Sequence, residues 1–191
     1  MRIDRLTNQL QLAISDAQSL ALGKDHNFID PLHLMSALLT QKNGSVRPLL
    51  TQSGVNVPGL IEAVNQELAA LATVEGTAGD VHMSNDLGRV LNIADKLSQK
   101  NKDTYISSEL VLVAFIDADI SISHILVDAG LNKDVLLKSI EKVFPPLKTK
   151  PYYLMLSRQF KNKHPELSEK IWDTIATLRE ERLQELTEGY Y

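Results

Sequence analysis

The chain carries one pattern twice. Thr7, Asn8, Leu10, Ala13, Ile14, Ala17, Leu20 and Ile29 recur 77 positions later as Ser84, Asn85, Leu87, Val90, Leu91, Ala94, Leu97 and Ile106. After a slip of one residue the echo resumes: Leu49, Leu50, Gly54, Val55, Asn56, Leu60 and Val64 match Ile125, Leu126, Gly130, Leu131, Asn132, Leu136 and Ile140. A repeat this long, with apolar residues at helical spacing, describes two copies of one small helical unit, neither able to bury its apolar face alone. The pattern predicts an all-α fold, an eight-helix pseudo-twofold bundle of two four-helix repeats (about 4–72 and 82–144), with no sheet. The seam between repeats becomes the first place to look for function.

Boundary signals place the helices. Thr7 is an N-cap for a helix closed by Gly23, and Asp30 with Pro31 opens a second. Ser45 to Ser53 reads as a short third helix ended by Gly54, and Pro58 to Leu71 as a fourth. The run from Thr73 to Asp80, with Gly76 and Gly79, has no period and joins the repeats. In the second repeat Ser84 caps a helix to Lys100, Ser107 or Ser108 caps the next, Ser121 begins a short one closed by Gly130, and Lys133 opens the last, to about Phe144.

Pro145-Pro146 breaks that helix, and composition changes. Four of the ten aromatic residues lie in residues 1–144; the other six, Tyr152, Tyr153, Phe160, Trp172, Tyr190 and Tyr191, crowd the last 47. Residues 145–191 are thus expected to form a linker and an appended amphipathic helix, Pro165 to Leu186, with Leu167, Ile171, Ile175, Leu178 and Leu186 along one face.

Charge and residue usage narrow the chemistry. The net charge is −4 with acids and bases interspersed, so no electrostatic footprint for nucleic acid is visible. Absence of cysteine excludes disulfides, thiolate metal sites and cysteine nucleophiles. The first residues lack the apolar core of a signal peptide, and no later stretch reaches the roughly 20 apolar residues of a membrane span. A cytoplasmic protein without membrane or nucleic-acid partners is the expectation.

None of the five histidines pairs with another at the helical spacing that sets two metal ligands on one face, and His33 reads as a hydrogen-bonded histidine at a helix start. A G-x-S-x-G elbow is absent, while Ser84, Ser107 and Ser121 stand where helices begin, so capping explains them. Asp117 and Asp119 lie near a helix end without a calcium-loop glycine. The expectation is no enzyme, no cofactor and no metal.

The lines Arg5-Leu6-Thr7-Asn8, Asp16 to Ala21, Ile29-Asp30-Pro31-Leu32-His33-Leu34 to Leu39, Val74-Glu75-Gly76-Thr77 and Tyr105 to Leu110 resemble the N-terminal domain of the Clp family of AAA+ chaperones, of the ClpB disaggregase type. The resemblance runs from Met1 to about residue 143. It implies an eight-helix duplicated bundle that binds unfolded or aggregated polypeptide in a shallow apolar groove near the seam and works with a Clp-type ATPase ring. It also implies substrate-binding residues: Leu91 and Leu110 as apolar contacts, Thr7, Asp103 and Glu109 as polar ones. Each has an ordinary structural reading too, with Thr7 a cap, Asp103 a turn residue and Glu109 an acid favoured in a first helical turn.

No G-x-x-x-x-G-K-[ST] phosphate loop occurs in the 191 residues; the nearest fragment, Gly23-Lys24-Asp25, lacks the upstream glycine and the hydroxyl. The tail has a resemblance of its own. Lys150 to Phe160, His164-Pro165-Glu166-Leu167 and Ile171-Trp172 look like the C-terminal end of periplasmic solute-binding proteins of the amino-acid-binding type. Without that receptor's lobes the segment cannot form its ligand site, so the chain is expected to join two gene ends, with a poorly packed tail.

Overall fold

Eight α-helices form where the caps and apolar periods place them: α1 (Asn8–Gly23), α2 (Pro31–Thr40), α3 (Val46–Gln52), α4 (Val57–Ala70), α5 (Asn85–Asn101), α6 (Ser108–Asp117), α7 (Ser121–Asp128) and α8 (Lys133–Val143). The structure is a computed structural model that describes residues 3–74 and 81–143 and, beyond them, residues 162, 165–167, 169–170 and 173–174. Equivalent helices start with equivalent chemistry. Thr7 Oγ1 accepts the Leu10 N–H and Ser84 Oγ accepts that of Leu87; Asp30 accepts from Leu32, and Ser107 from Leu110. Asn56 and Asn132 do the same for α4 and α8. Each supplies an acceptor for an N–H that has no partner within the helix.

The start of α3, where Ser45 makes no side-chain capping bond, departs from this scheme, and so does that of α7. For α7 the N-cap position is Ile120, which has no side-chain acceptor, and the expected cap Ser121 is the first helical residue. Instead Ser123 reaches back, its Oγ accepting from Ile120 N at 2.9 Å and donating to Phe115 O at 2.6 Å, so one hydroxyl ties the α7 start to α6.

The expected absence of a sheet is corrected by a small exchange at the seam. β1 (Phe28–Ile29) and β2 (His82–Met83) pair in parallel, with Ile29 beside Met83. The equivalent residues of the other repeats, Ile106 and Leu6, form a second parallel bridge. Ser84 N donates to Ile29 O at 3.1 Å, and Thr7 N to Ile106 O at 3.0 Å. The segment before the second helix of each repeat thus pairs with the segment before the first helix of the other. Two-residue runs carry too little period-two pattern to be read as strands.

Packing repeats the exchange. α1 lies on α2 and α5 on α6 within a repeat, whereas α3 packs on α8 and α4 on α7 across the seam. At that crossing Gly54 and Gly130 hold φ of +83° and +95°, the left-handed backbone that glycine adopts without strain. Asn56 N donates to Ala129 O at 3.4 Å beside them. One core results, with Leu10, Leu34, Leu38, Leu60, Leu87, Leu91, Leu112 and Phe115 each almost wholly buried.

The chain divides into two compact units, 1–147 and 148–191. In the second unit Pro165–Leu167, Glu169, Lys170, Asp173 and Thr174 are helical and exposed, and Thr174 Oγ1 donates to Lys170 O. The remaining positions of the expected tail helix, the Lys150 to Phe160 segment, and linker residues 75–80 lie outside the described residues. No single helix among the described residues is long and apolar enough to cross a membrane.

Candidate functional site

The cavity sits where the second repeat's bridge enters the bundle. About 660 Å³ in volume and open to solvent, it is bounded by Thr7 and Gln9 at the start of α1, Ser45 before α3, Asn101 at the end of α5 with Asp103, Thr104 and Tyr105 after it, Ser107 to Leu110 at the start of α6, and Ile140 of α8.

Its wall is held by the backbone. Lys102 closes α5 with φ +62°, and Asp103 N donates to Ser98 O. The Asp103 carbonyl accepts from Ser98 Oγ at 3.1 Å and from Arg5 Nη2 at 3.3 Å. Arg5 also donates to Asp95 at 2.6 Å and to Ser98 Oγ at 2.9 Å. One planar guanidinium therefore fixes the 3-10 turn before α1 (Ile3–Arg5) to α5 and to the cavity loop.

Four of the five residues singled out in the sequence line this cavity: Thr7, Asp103, Glu109 and Leu110. Leu91 does not. It faces the core, 1% exposed, and has no surface to offer a ligand, because the stripe on which it lies is the one α5 buries. Leu110 is half-buried and packs on the core from the cavity side. Glu109 is buried to 8% exposure at the start of α6, while Asp103 is exposed on the loop.

Tyr105, 56% exposed, and Ile140 add apolar surface that sequence reasoning did not single out. A signal for Tyr105 existed: its equivalent in the first repeat is Phe28, 55% exposed, so an otherwise aromatic-poor bundle places a ring at the same loop twice. The two hydroxyls of Thr7 and Ser107 are engaged as caps. Asp103 and Glu109 are the charged residues lining the cavity, both acids.

The equivalent place in the first repeat is built differently. His26 stands where the second repeat has Asp103, and His33 where it has Leu110. His26 Nδ1 lies 2.8 Å from His33 Nε2, both rings buried. His33 Nδ1 accepts the Asp30 N–H at 2.9 Å while Asp30 caps Leu32, a reciprocal capping box. An accepting Nδ1 puts the His33 proton on Nε2, which then donates to His26.

Burial first, then the neighbouring His26, lowers the His33 pKa to about 4; burial and Lys24 lower that of His26. Burial raises the Asp30 carboxyl, with Asp86 acting in the same direction. His33 is thus a hydrogen-bonded histidine at a helix start. Its partner seven residues earlier lies outside the helical spacings that the sequence was searched for.

The sequence profile of the Clp repeat (R) N-terminal domain matches residues 5–129. The chaperone protein ClpB of Pseudomonas putida is 50% identical over 143 residues, 75% of this chain and 17% of that protein. The chain therefore spans about a sixth of the length of this relative. Among solved structures, the Hsp104 N-terminal domain from Candida albicans aligns with a TM-score of 0.65 at 22% identity, covering 73% of this chain and 91% of that one. A ClpV N-domain in complex with a VipB peptide aligns with a TM-score of 0.60 at 26% identity, covering 74% and 88%. With the profile matched over most of the duplicated bundle and half the aligned residues shared with ClpB, this chain belongs to the Clp repeat N-terminal domain family.

Proposed function

We propose that the chain is a polypeptide-binding module of the cytoplasm that holds exposed apolar stretches of unfolded or aggregated protein in the cavity at α6. The observation that carries this reading is the side chain at position 110. Leucine there lines the open cavity where the first repeat has the buried ring of His33 against His26, and Tyr105 and Ile140 extend its apolar lining. Leu110, Tyr105 and Ile140 supply contact; Asp103, Glu109 and Thr7 orient the bound segment. The ClpV N-domain that was solved with a VipB peptide supports the same class of ligand.

Burying about 400 Å² of apolar surface at roughly 25 cal/mol per Å² yields about 10 kcal/mol. Immobilisation removes on the order of 4 to 15 kcal/mol. Binding is therefore weak and tolerant of sequence, and becomes effective when several such domains sit on one Clp-type ATPase ring and raise each other's effective concentration. The role is binding, without catalysis.

Titration of the isotopically labelled chain with unfolded casein, followed by NMR, tests this. Shifts should cluster at Tyr105, Leu110 and Ile140, and Leu110→Asp should weaken binding about tenfold, or 1.4 kcal/mol. Shifts confined to other surfaces would overturn the proposal, and binding of free amino acids would favour a solute-receptor fragment instead.

A further inference from the structure

The repeat supplies an internal reference for a second surface, on the outward side of α5. Met83, Gly88, Arg89, Asn92, Ile93 and Lys96 line an open trough of about 620 Å³ there. Met83 is 44% exposed, whereas its equivalent Leu6 is 3% exposed. Arg89 and Lys96 are both exposed, and neither has a hydrogen bond or an ion pair with another described residue. Asp86 stands one turn before Arg89 without pairing with it, and Asp95 is engaged by Arg5.

On α1 the equivalents of Arg89, Ile93 and Lys96 are Leu12, Asp16 and Ser19. The fold does not require cations on this face, since the first repeat builds the same helix with none at those positions. In a chain of net charge −4, two unneutralised cations flanking exposed apolar surface form a local field opposite to that of the whole.

We infer that this trough docks an extended acidic polypeptide segment, with two carboxylates straddling an apolar side chain. Arg89 and Lys96 lie seven residues apart on one helix, which separates their stems by about 10 Å along the axis. In a peptide extended as polyproline II, with three residues per turn and a rise of about 3.1 Å, acids three residues apart share one face and are separated by about the same distance. Ile93, one turn from each cation, and Met83 form the apolar floor on which the intervening side chain rests. Exposed ion pairs each contribute little and are screened by salt, so docking is weak and salt-sensitive.

Fluorescence anisotropy of a labelled peptide containing Asp-Leu-Phe-Glu, measured on the full chain, tests the assignment against a matched Lys-Leu-Phe-Lys peptide. The acidic peptide should bind the wild type, lose about tenfold in affinity in R89E/K96E and at high salt, and lose less in R89S/K96S. The lysine peptide should show the opposite order between wild type and R89E/K96E. Leu110→Asp should leave acidic-peptide binding unchanged, which separates this surface from the α6 cavity. Equal binding of the acidic peptide to wild type and R89E/K96E, with circular dichroism showing both folded, would overturn the inference. So would tighter binding of a single-stranded oligothymidine of equal charge, which would make the trough a general polyanion surface.

Discussion

The two repeats share a bridge pattern at the seam and differ in the side chains that stand beside it. In the first, His26 and His33 meet at 2.8 Å, both rings buried, close in sequence to the Ile29 bridge. In the second, Asp103 and Leu110 stand at the same places behind the Ile106 bridge and leave about 660 Å³ open. The first and second helices of each repeat start at equivalent caps and the bridges pair in the same sense, while the side chains at these two positions differ.

The most severe way to break this comparison is to remove the histidine pair of the first repeat. His33→Leu copies the residue of the second repeat, removes half of a capping box and leaves His26 Nδ1 without its partner. It should lower stability by about 3 kcal/mol, read from urea unfolding. Acid should act on the same pair. The His33 pKa in the fold, about 4, lies below the ordinary 6.5, so between those values the unfolded chain binds more protons than the folded one. The stability that the neutral ring contributes is complete above pH 6.5 and falls away as pH drops toward 4, by about 3 kcal/mol in all. His26, also lowered, contributes with the same sign; Asp30, whose carboxyl is raised, opposes it at the acid end. His33→Leu should lose most of this slope, and an unchanged slope would show that the acid response originates elsewhere.

A smaller effect should follow from sealing the second repeat. The double change D103H/L110H places two rings where the first repeat has them and should reduce casein binding about tenfold. Retained binding would mean that the client does not use the hollow. Smallest is the paired loss of equivalent caps. Thr7→Ala and Ser84→Ala should each lower stability by about 1 kcal/mol in thermal unfolding, while Thr7→Ala alone weakens client binding. Equal loss of binding in both would assign Thr7 a purely structural role.

The helices were legible because their determinants are local. Thr7, Asp30, Ser84 and Ser107 each announce a helix start within four residues, and the repeat doubled every signal. The seam strands were not legible, since each owes its pairing to a segment more than fifty residues away and spans only two residues. The cavity was legible in part: the family resemblance pointed to Thr7, Asp103, Glu109 and Leu110, which converge there. Leu91 could not be separated from them in one dimension, because a leucine on a buried stripe and one at a groove's edge carry the same letter. The His26–His33 contact was hidden for a related reason, as the turn between them brings together rings that no helical period would.

The exchanged bridges have a consequence for how such a molecule is made. A single repeat produced by itself would expose unpaired amide and carbonyl groups at the segment before each of its first two helices, and the surface that best completes them is that of another such repeat. Two halves would close on each other as an isologous dimer. Joining them in one polypeptide removes the dependence on concentration and fixes the stoichiometry, and it frees each half to acquire substitutions that a symmetric pair would have to carry twice.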